Sequence, residues 1–175
     1  ATATIKLQYI PAMSGRFRIN VRQAENLKNV ARIGVQDPIC TVVLGSFGTV
    51  RTDEAKDGGD RPKWKNNQRL ISYTNATQKA PDEMTIILKN NGMIGKTIGS
   101  CVIPVQPLIA TAGNESTTWY SLKTEGKGNP AGRIQISLMF TKDLGEEANM
   151  DQATKEEEQD AEDETVAIVT SELFF

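Results

Sequence analysis

Arg51, Lys56, Arg61, Lys63, Lys65 and Arg69 gather six cations between positions 51 and 69 of a 175-residue chain. Cations at this density suit the holding of an anionic surface or an acidic partner, and each exposed Lys or Arg beside an anionic membrane contributes about 1 kcal/mol. Lys63, Lys65 and Arg69 share parity, so a continuous strand would set them on one face. A plain solvated sheet face is the alternative reading. Other chemistries find less support. The chain has no histidine, the commonest general base and metal ligand. Cys40 and Cys101 each sit in an apolar run and are expected as buried free thiols. Ser14, Ser46 and Ser100 stand beside glycines as turn serines, without a base to activate them. KDGGD and GSFG lack the Lys-Ser/Thr ending of a phosphate loop. Neither catalytic residues, a cofactor nor a small-molecule substrate is expected. Nucleic acid fits poorly, because no aromatic ladder accompanies the basic stretch.

The elements that must carry these residues read as short strands. In RFRINVR, Phe17, Ile19 and Val21 alternate with Arg16, Arg18, Asn20 and Arg22, the period of a half-buried strand. Pro38 cannot donate to a ladder, so the apolar run Ile39 to Leu44 opens just after it. Further strands are predicted at Thr49–Thr52, at QRLISY with Leu70 and Tyr73 turned inward, at Glu83–Leu88, Ser100–Val105, Thr118–Leu122 and Arg133–Phe140. Leu108–Ala112 reads as one helical turn. Ile5, Leu7 and Tyr9 alternate as well, as an added edge strand or a frayed leader. Short strands with turn chemistry between them predict an all-β, antiparallel sandwich.

SGRFRINV, ENLKN, GVQDPIC, LGSFGTVRT, KDGGDRPKW and IGSCVIPV, in that order, resemble the landmarks of a C2 domain from about Gly15 to Phe140. The resemblance implies an eight-stranded Greek-key β-sandwich with calcium- and lipid-binding relatives, in a strand order similar to the family's circularly permuted variant. The domain is expected over residues 15–142, after an extension (1–14) and before an acidic tail (143–175). Calcium-binding members place aspartates in two loops at one end. By resemblance Ala31 stands at the first of these positions and Asp37 at the second; the other loop offers Asn90, Asn91 and Gly92, with Lys96 near its last. No carboxylate lies between Met84 and Asn114, whereas calcium takes six to eight oxygen ligands. The expectation is a degenerate, calcium-independent site in which Asp37 caps amides of its own turn. The family's lipid-binding basic face, made by its third and fourth strands, resembles the stretch from Arg51 to Arg69. Trp64, in RPKWKN, is expected as a core or edge anchor. Ile33, Val35, Met93 and Ile94 form an apolar loop tip able to touch a membrane or a protein.

Charge divides the chain. Residues 1–142 hold 19 Lys+Arg against 10 Asp+Glu, net +9; residues 143–175 hold one Lys against 12 Asp+Glu, net −11. The acidic block repels itself and builds no core, as a solvated helix or as disordered chain. Val166, Ile168, Val169, Leu173, Phe174 and Phe175 then end the chain on apolar residues that are expected to dock on a partner. The function expected is a non-catalytic module of protein–protein assembly, as an accessory subunit of a larger complex. The alternative is a peripheral module binding anionic phospholipids. An intracellular location is expected, cytoplasmic or peripheral to a membrane, or organellar if a transit peptide has been removed.

Overall fold

A computed structural model describes residues 13–65, 67–76, 80–92 and 95–143. The alternating stretch at the start forms β1 (Ser14–Glu25), with Phe17, Ile19 and Val21 buried and Arg16 and Arg22 exposed. The β-branched run makes β2 (Pro38–Leu44), with Pro38 as its first residue, where a missing N–H is tolerated. A tight turn leads to β3 (Gly48–Arg51), and β4 (Gln68–Thr74), β5 (Glu83–Asn90) and β6 (Thr97–Pro104) follow. A short helix, α1 (Gln106–Ala110), opens two residues before the predicted turn, with Pro107 in its first turn, where proline costs no hydrogen bond. The chain then forms β7 (Ser116–Lys123) and β8 (Pro130–Lys142).

All strand pairs are antiparallel, in the order β3-β2-β5-β6-β7-β8-β1-β4. β6 and β7 pair only at Ser100 and Lys123, so the order folds there into two layers, β3-β2-β5-β6 and β7-β8-β1-β4. The free edges, β3 and β4, approach each other, because Arg69 on β4 donates from Nε to the Arg51 carbonyl on β3 at 2.9 Å. The result is a nearly closed sandwich. The last strand lies along β1 from Gly15–Lys142 to Glu25–Arg133. The edge strand considered at Ile5, Leu7 and Tyr9 lies outside the described residues.

Both inner faces supply the core. Phe17, Tyr73 and Phe140 meet with centroids 4.8–5.8 Å apart, Phe47 joining Tyr73 at 5.6 Å. Two of these pairs, Phe17–Tyr73 and Tyr73–Phe140, meet edge to face, and aromatic pairs add about 0.5–1.5 kcal/mol each beyond burial. Gly132, at φ +107, lets β8 pass the Glu25 and Asn26 carbonyls, which an added Cβ would meet at 2.6–2.7 Å. β4 departs from expectation at one residue. Tyr73 is buried, but Ile71 is its inward neighbour, and Leu70 is 50% exposed. Residues 70 and 73 have opposite parity, so one strand cannot turn both inward.

Cys40 and Cys101 are free thiols, one buried and one half-buried, on β2 and β6. Burial pushes both thiols up, Cys101 to about 12 and Cys40 further. Neither should react appreciably with a thiol reagent at pH 8 until the protein is unfolded, since the thiolate is the nucleophile. A raised thiol pKa means that the folded state holds its protons longer. This contribution to stability is therefore whole below pH 9, the unfolded value, and is lost as pH rises from 9 towards 12. Rapid labelling of the native protein at pH 8 would contradict the packing described.

Candidate functional site

One end of the sandwich gathers the loop after β1, the turn before β2, the β3–β4 connection and the β5–β6 loop. Gln36, 1% exposed, ties the first three together. Its Oε1 accepts from Val30 N–H at 3.1 Å, and its Nε2 donates to the Lys28 and Gly59 carbonyls at 3.2 and 2.9 Å. Contrary to the expectation from sequence, Asp37 does not cap its own turn. Its Oδ1 accepts the amide of Asp57, twenty residues on, at 2.6 Å, and its own N–H donates to Asn90 Oδ1 at 2.8 Å. Asn91 donates from its amide to the Asp37 carbonyl at 2.8 Å and from Nδ2 to Glu54. These side chains bind loops to one another. Among the described residues, no group of three or more His, Cys, Asp or Glu is placed to hold a metal ion.

Ala31 is half-buried beside these loops, and Gly92 and Lys96 are exposed. Lys28 and Lys96 line an open cleft of about 500 Å³ together with Ala31, Thr97 and Glu125. Ile33 and Val35 project at 92% and 55% exposure, as an apolar tip requires. Met93 and Ile94 lie outside the described residues, as do Val166, Ile168, Val169, Leu173, Phe174 and Phe175.

The six cations from 51 to 69 do not share a face. The path from 63 to 69 is not one strand. Lys63 makes an isolated bridge with Gln23, Trp64 turns inward, and β4 starts only at Gln68. Between them Asn67, 1% exposed, stands in for a strand partner, its Oδ1 accepting Val21 N–H at 3.2 Å and its Nδ2 donating to Val21 O at 2.6 Å. This shift reverses parity. Lys63 and Lys65 are exposed, whereas Arg69 pairs with buried Ile19 and turns to the seam between layers, bonded to Arg51 O and 3.8 Å from Asp53. Arg51 is exposed on β3, opposite Thr41 of β2, and Lys56 and Arg61 are exposed in the β3–β4 connection.

The structure instead shows a basic surface that the sequence reading did not single out. Arg16, Arg18 and Arg22 occupy the outer face of β1, and Arg133 stands on the outer face of β8. Lys63 adjoins them through its bridge to Gln23, whose Nε2 donates to Gln135 Oε1 at 2.8 Å. The alternation in RFRINVR carried that signal; the order of strands was needed to use it. The opposite layer differs in chemistry. The middle of its outer face holds Ile39, Thr41, Val43, Thr85, Ile87, Ser100 and Val102, with the charged Arg51, Glu83 and Lys89 only at its margins.

A nearly closed antiparallel sandwich with its loops gathered at one end defines a class of β-sandwich interaction module. The C2 domain family model matches residues 15–122, and the chain belongs to that family. β8 lies beyond the matched region and completes the layer that β1 begins. The chain is 28% identical over 138 residues to Protein SRC2 homolog of Arabidopsis thaliana, covering 73% of this chain and 40% of that protein. It thus spans well under half of that relative. Among solved structures it is similar to a C2 domain of plant Extended Synaptotagmin 1, with TM-score 0.61, 14% identity and coverage of 74% of this chain and 95% of that one. It also resembles a structure of two adjacent C2 domains of Extended Synaptotagmin 2, with TM-score 0.61, 18% identity and coverage of 89% and 51%. At these identities the two structures speak for the fold. Among the described residues no helix is long and apolar enough to cross a membrane.

Proposed function

We propose that this C2 domain is a non-catalytic, calcium-independent module of protein–protein assembly, working as an accessory subunit of a larger complex. The observation that carries calcium independence is the use made of Asp37. Its Oδ1 faces the Asp57 amide, and the neighbouring Asn90 Oδ1 is taken by the Asp37 N–H. Asp37 Oδ1 and Asn90 Oδ1 already accept hydrogen bonds that hold the loops, and calcium needs six to eight oxygens. The uncharged middle of the outer face on the β3-β2-β5-β6 layer supports a protein partner, because a lipid headgroup surface calls for cations there. Residues 1–14 and 143–175 act as extensions of a domain spanning 15–142, the second through its acidic block and apolar end.

The test is direct. Calcium at millimolar concentration should leave the melting temperature unchanged, since a ligand of the native state raises it by mass action. A rise of several degrees that Asp37→Asn abolishes would overturn calcium independence. In cells the chain should run at a native mass well above its own 19.2 kDa, and deletion of 143–175 should release it as a folded monomer. A truncated chain that keeps its partner would refute tail docking.

A second reading, a peripheral module on anionic phospholipids, has the arginines of β1 in its favour. Sedimentation with vesicles containing phosphatidylserine, with and without calcium, separates the two.

A further inference from the structure

We propose that the outer face of the β7-β8-β1-β4 layer is the docking site for an acidic peptide segment of a partner protein, extended along β1 with carboxylates at alternate positions. This deepens the assembly reading above and rests on it. Among the described residues, Arg16, Arg18, Arg22, Lys63 and Arg133 stand on or beside that face, with the carboxylates Glu25 and Glu115 paired to its arginines.

The face already shows which ligand chemistry it accepts. Glu115 bridges two arginines, with Oε2 at 3.2 Å from Arg18 and Oε1 at 3.7 Å from Arg22. Glu25 accepts from Arg133 Nε and a terminal nitrogen at 3.0 and 2.6 Å through one oxygen. Guanidinium groups match planar carboxylates in this way, with a directionality that ammonium groups lack. The arginines remain reachable, their side chains 37%, 47% and 50% exposed for Arg18, Arg22 and Arg133.

Apolar groups lie between the cations. Arg18 stands between Leu70 of β4 and Met139 of β8, and Arg133 covers the Trp119 ring at 4.3 Å. Outward residues on β1 recur every second position from Arg16 to Asn20, roughly 7 Å apart, the spacing of alternate side chains in an extended peptide, before a bulge between Val21 and Gln23 shifts the register. An extended peptide with carboxylates at alternate positions therefore turns that row of carboxylates toward the cations, while the apolar groups beside them pack against its methylenes. Arg18, Arg22 and Arg133 are already held in carboxylate contacts, which favours a carboxylate-bearing peptide as the ligand.

The probe is a fluorescein-labelled peptide of alternating Glu and Val, titrated against the full chain and read by anisotropy. Binding should weaken steeply between about 50 and 300 mM salt, since exposed charges are screened beyond a Debye length. Arg16→Glu, Arg18→Glu and Arg22→Glu combined should lower affinity at least ten-fold, while Arg51→Glu with Lys56→Glu should change it less than two-fold. Glu115→Gln should tighten binding roughly two- to five-fold, because it frees Arg18 and Arg22 from a competing carboxylate whose exposed pairing is modest. That gain cannot come from misfolding. Absence of peptide binding at millimolar concentration, or weaker binding by Glu115→Gln, overturns the proposal. If phosphatidylserine vesicles bind and the peptide does not, the assembly reading falls with it. If neither binds while the native mass in cells stays high, only this docking surface is wrong.

Discussion

Replacement of Trp64 by alanine is expected to destabilise the domain by about 3–5 kcal/mol, the usual cost of emptying a buried aromatic site. Trp64 is 7% exposed, and its indole N–H donates to the Pro38 carbonyl at 3.3 Å. Its backbone N–H donates to the Arg22 carbonyl at 3.0 Å. The residue thus joins the β3–β4 connection to the start of β2 and to β1, and the alanine variant leaves a cavity and removes one of two hydrogen bonds to the Pro38 carbonyl, which keeps the one from Ala55 N–H at 2.9 Å. Urea denaturation followed by circular dichroism measures the loss, and Trp64→Phe should recover a good part of it. In a Trp119→Phe background the native protein should emit as a buried indole. Emission of a water-exposed indole would refute the burial on which this expectation stands.

The second large effect is expected at Asn67. Its side chain satisfies both the N–H and the C=O of Val21 in the interior, which no backbone of β4 does at that point. Asn67→Leu keeps the branching at Cγ, with a larger volume, and leaves both groups unpaired. A buried unsatisfied polar group costs about 1–3 kcal/mol, so a loss of about 2–4 kcal/mol is expected. The same change should disturb the start of β4, where Gln68 pairs with Asn20. Hydrogen exchange at Val21 should accelerate more than at Ile86 in the opposite layer. A variant as stable as the parent, with Val21 still protected, would show that another group can take the place of the amide.

Much of this architecture is written locally in the chain. Period-2 alternation placed β1 with Phe17, Ile19 and Val21 inward, because a half-buried strand imposes that pattern on its own sequence. Pro38 marked the opening of β2, and the burial of Trp64 followed from the resemblance to the family, which puts a packed aromatic after the proline. The six landmark segments carried the C2 family. The lack of carboxylates between Met84 and Asn114 was legible without any structure, and so was the split between a basic body and an acidic tail.

Tertiary structure alone decided where the charges of that body go. Parity holds only along an unbroken strand, and the backbone between Lys63 and Arg69 is interrupted at Asn67, so Arg69 turned to the seam while Lys63 and Lys65 faced out. Nothing local announces such a shift, since an asparagine in a loop and an asparagine standing in for a strand partner look the same in sequence. Asp37 likewise found its amide twenty residues away on Asp57. The basic surface needed β8 beside β1, a contact between opposite ends of the domain that sets Arg133 opposite Glu25, on the same outer face as Arg18 and Arg22. Long-range pairing of this kind is fixed by which faces bury together, and a single strand carries no record of its neighbour.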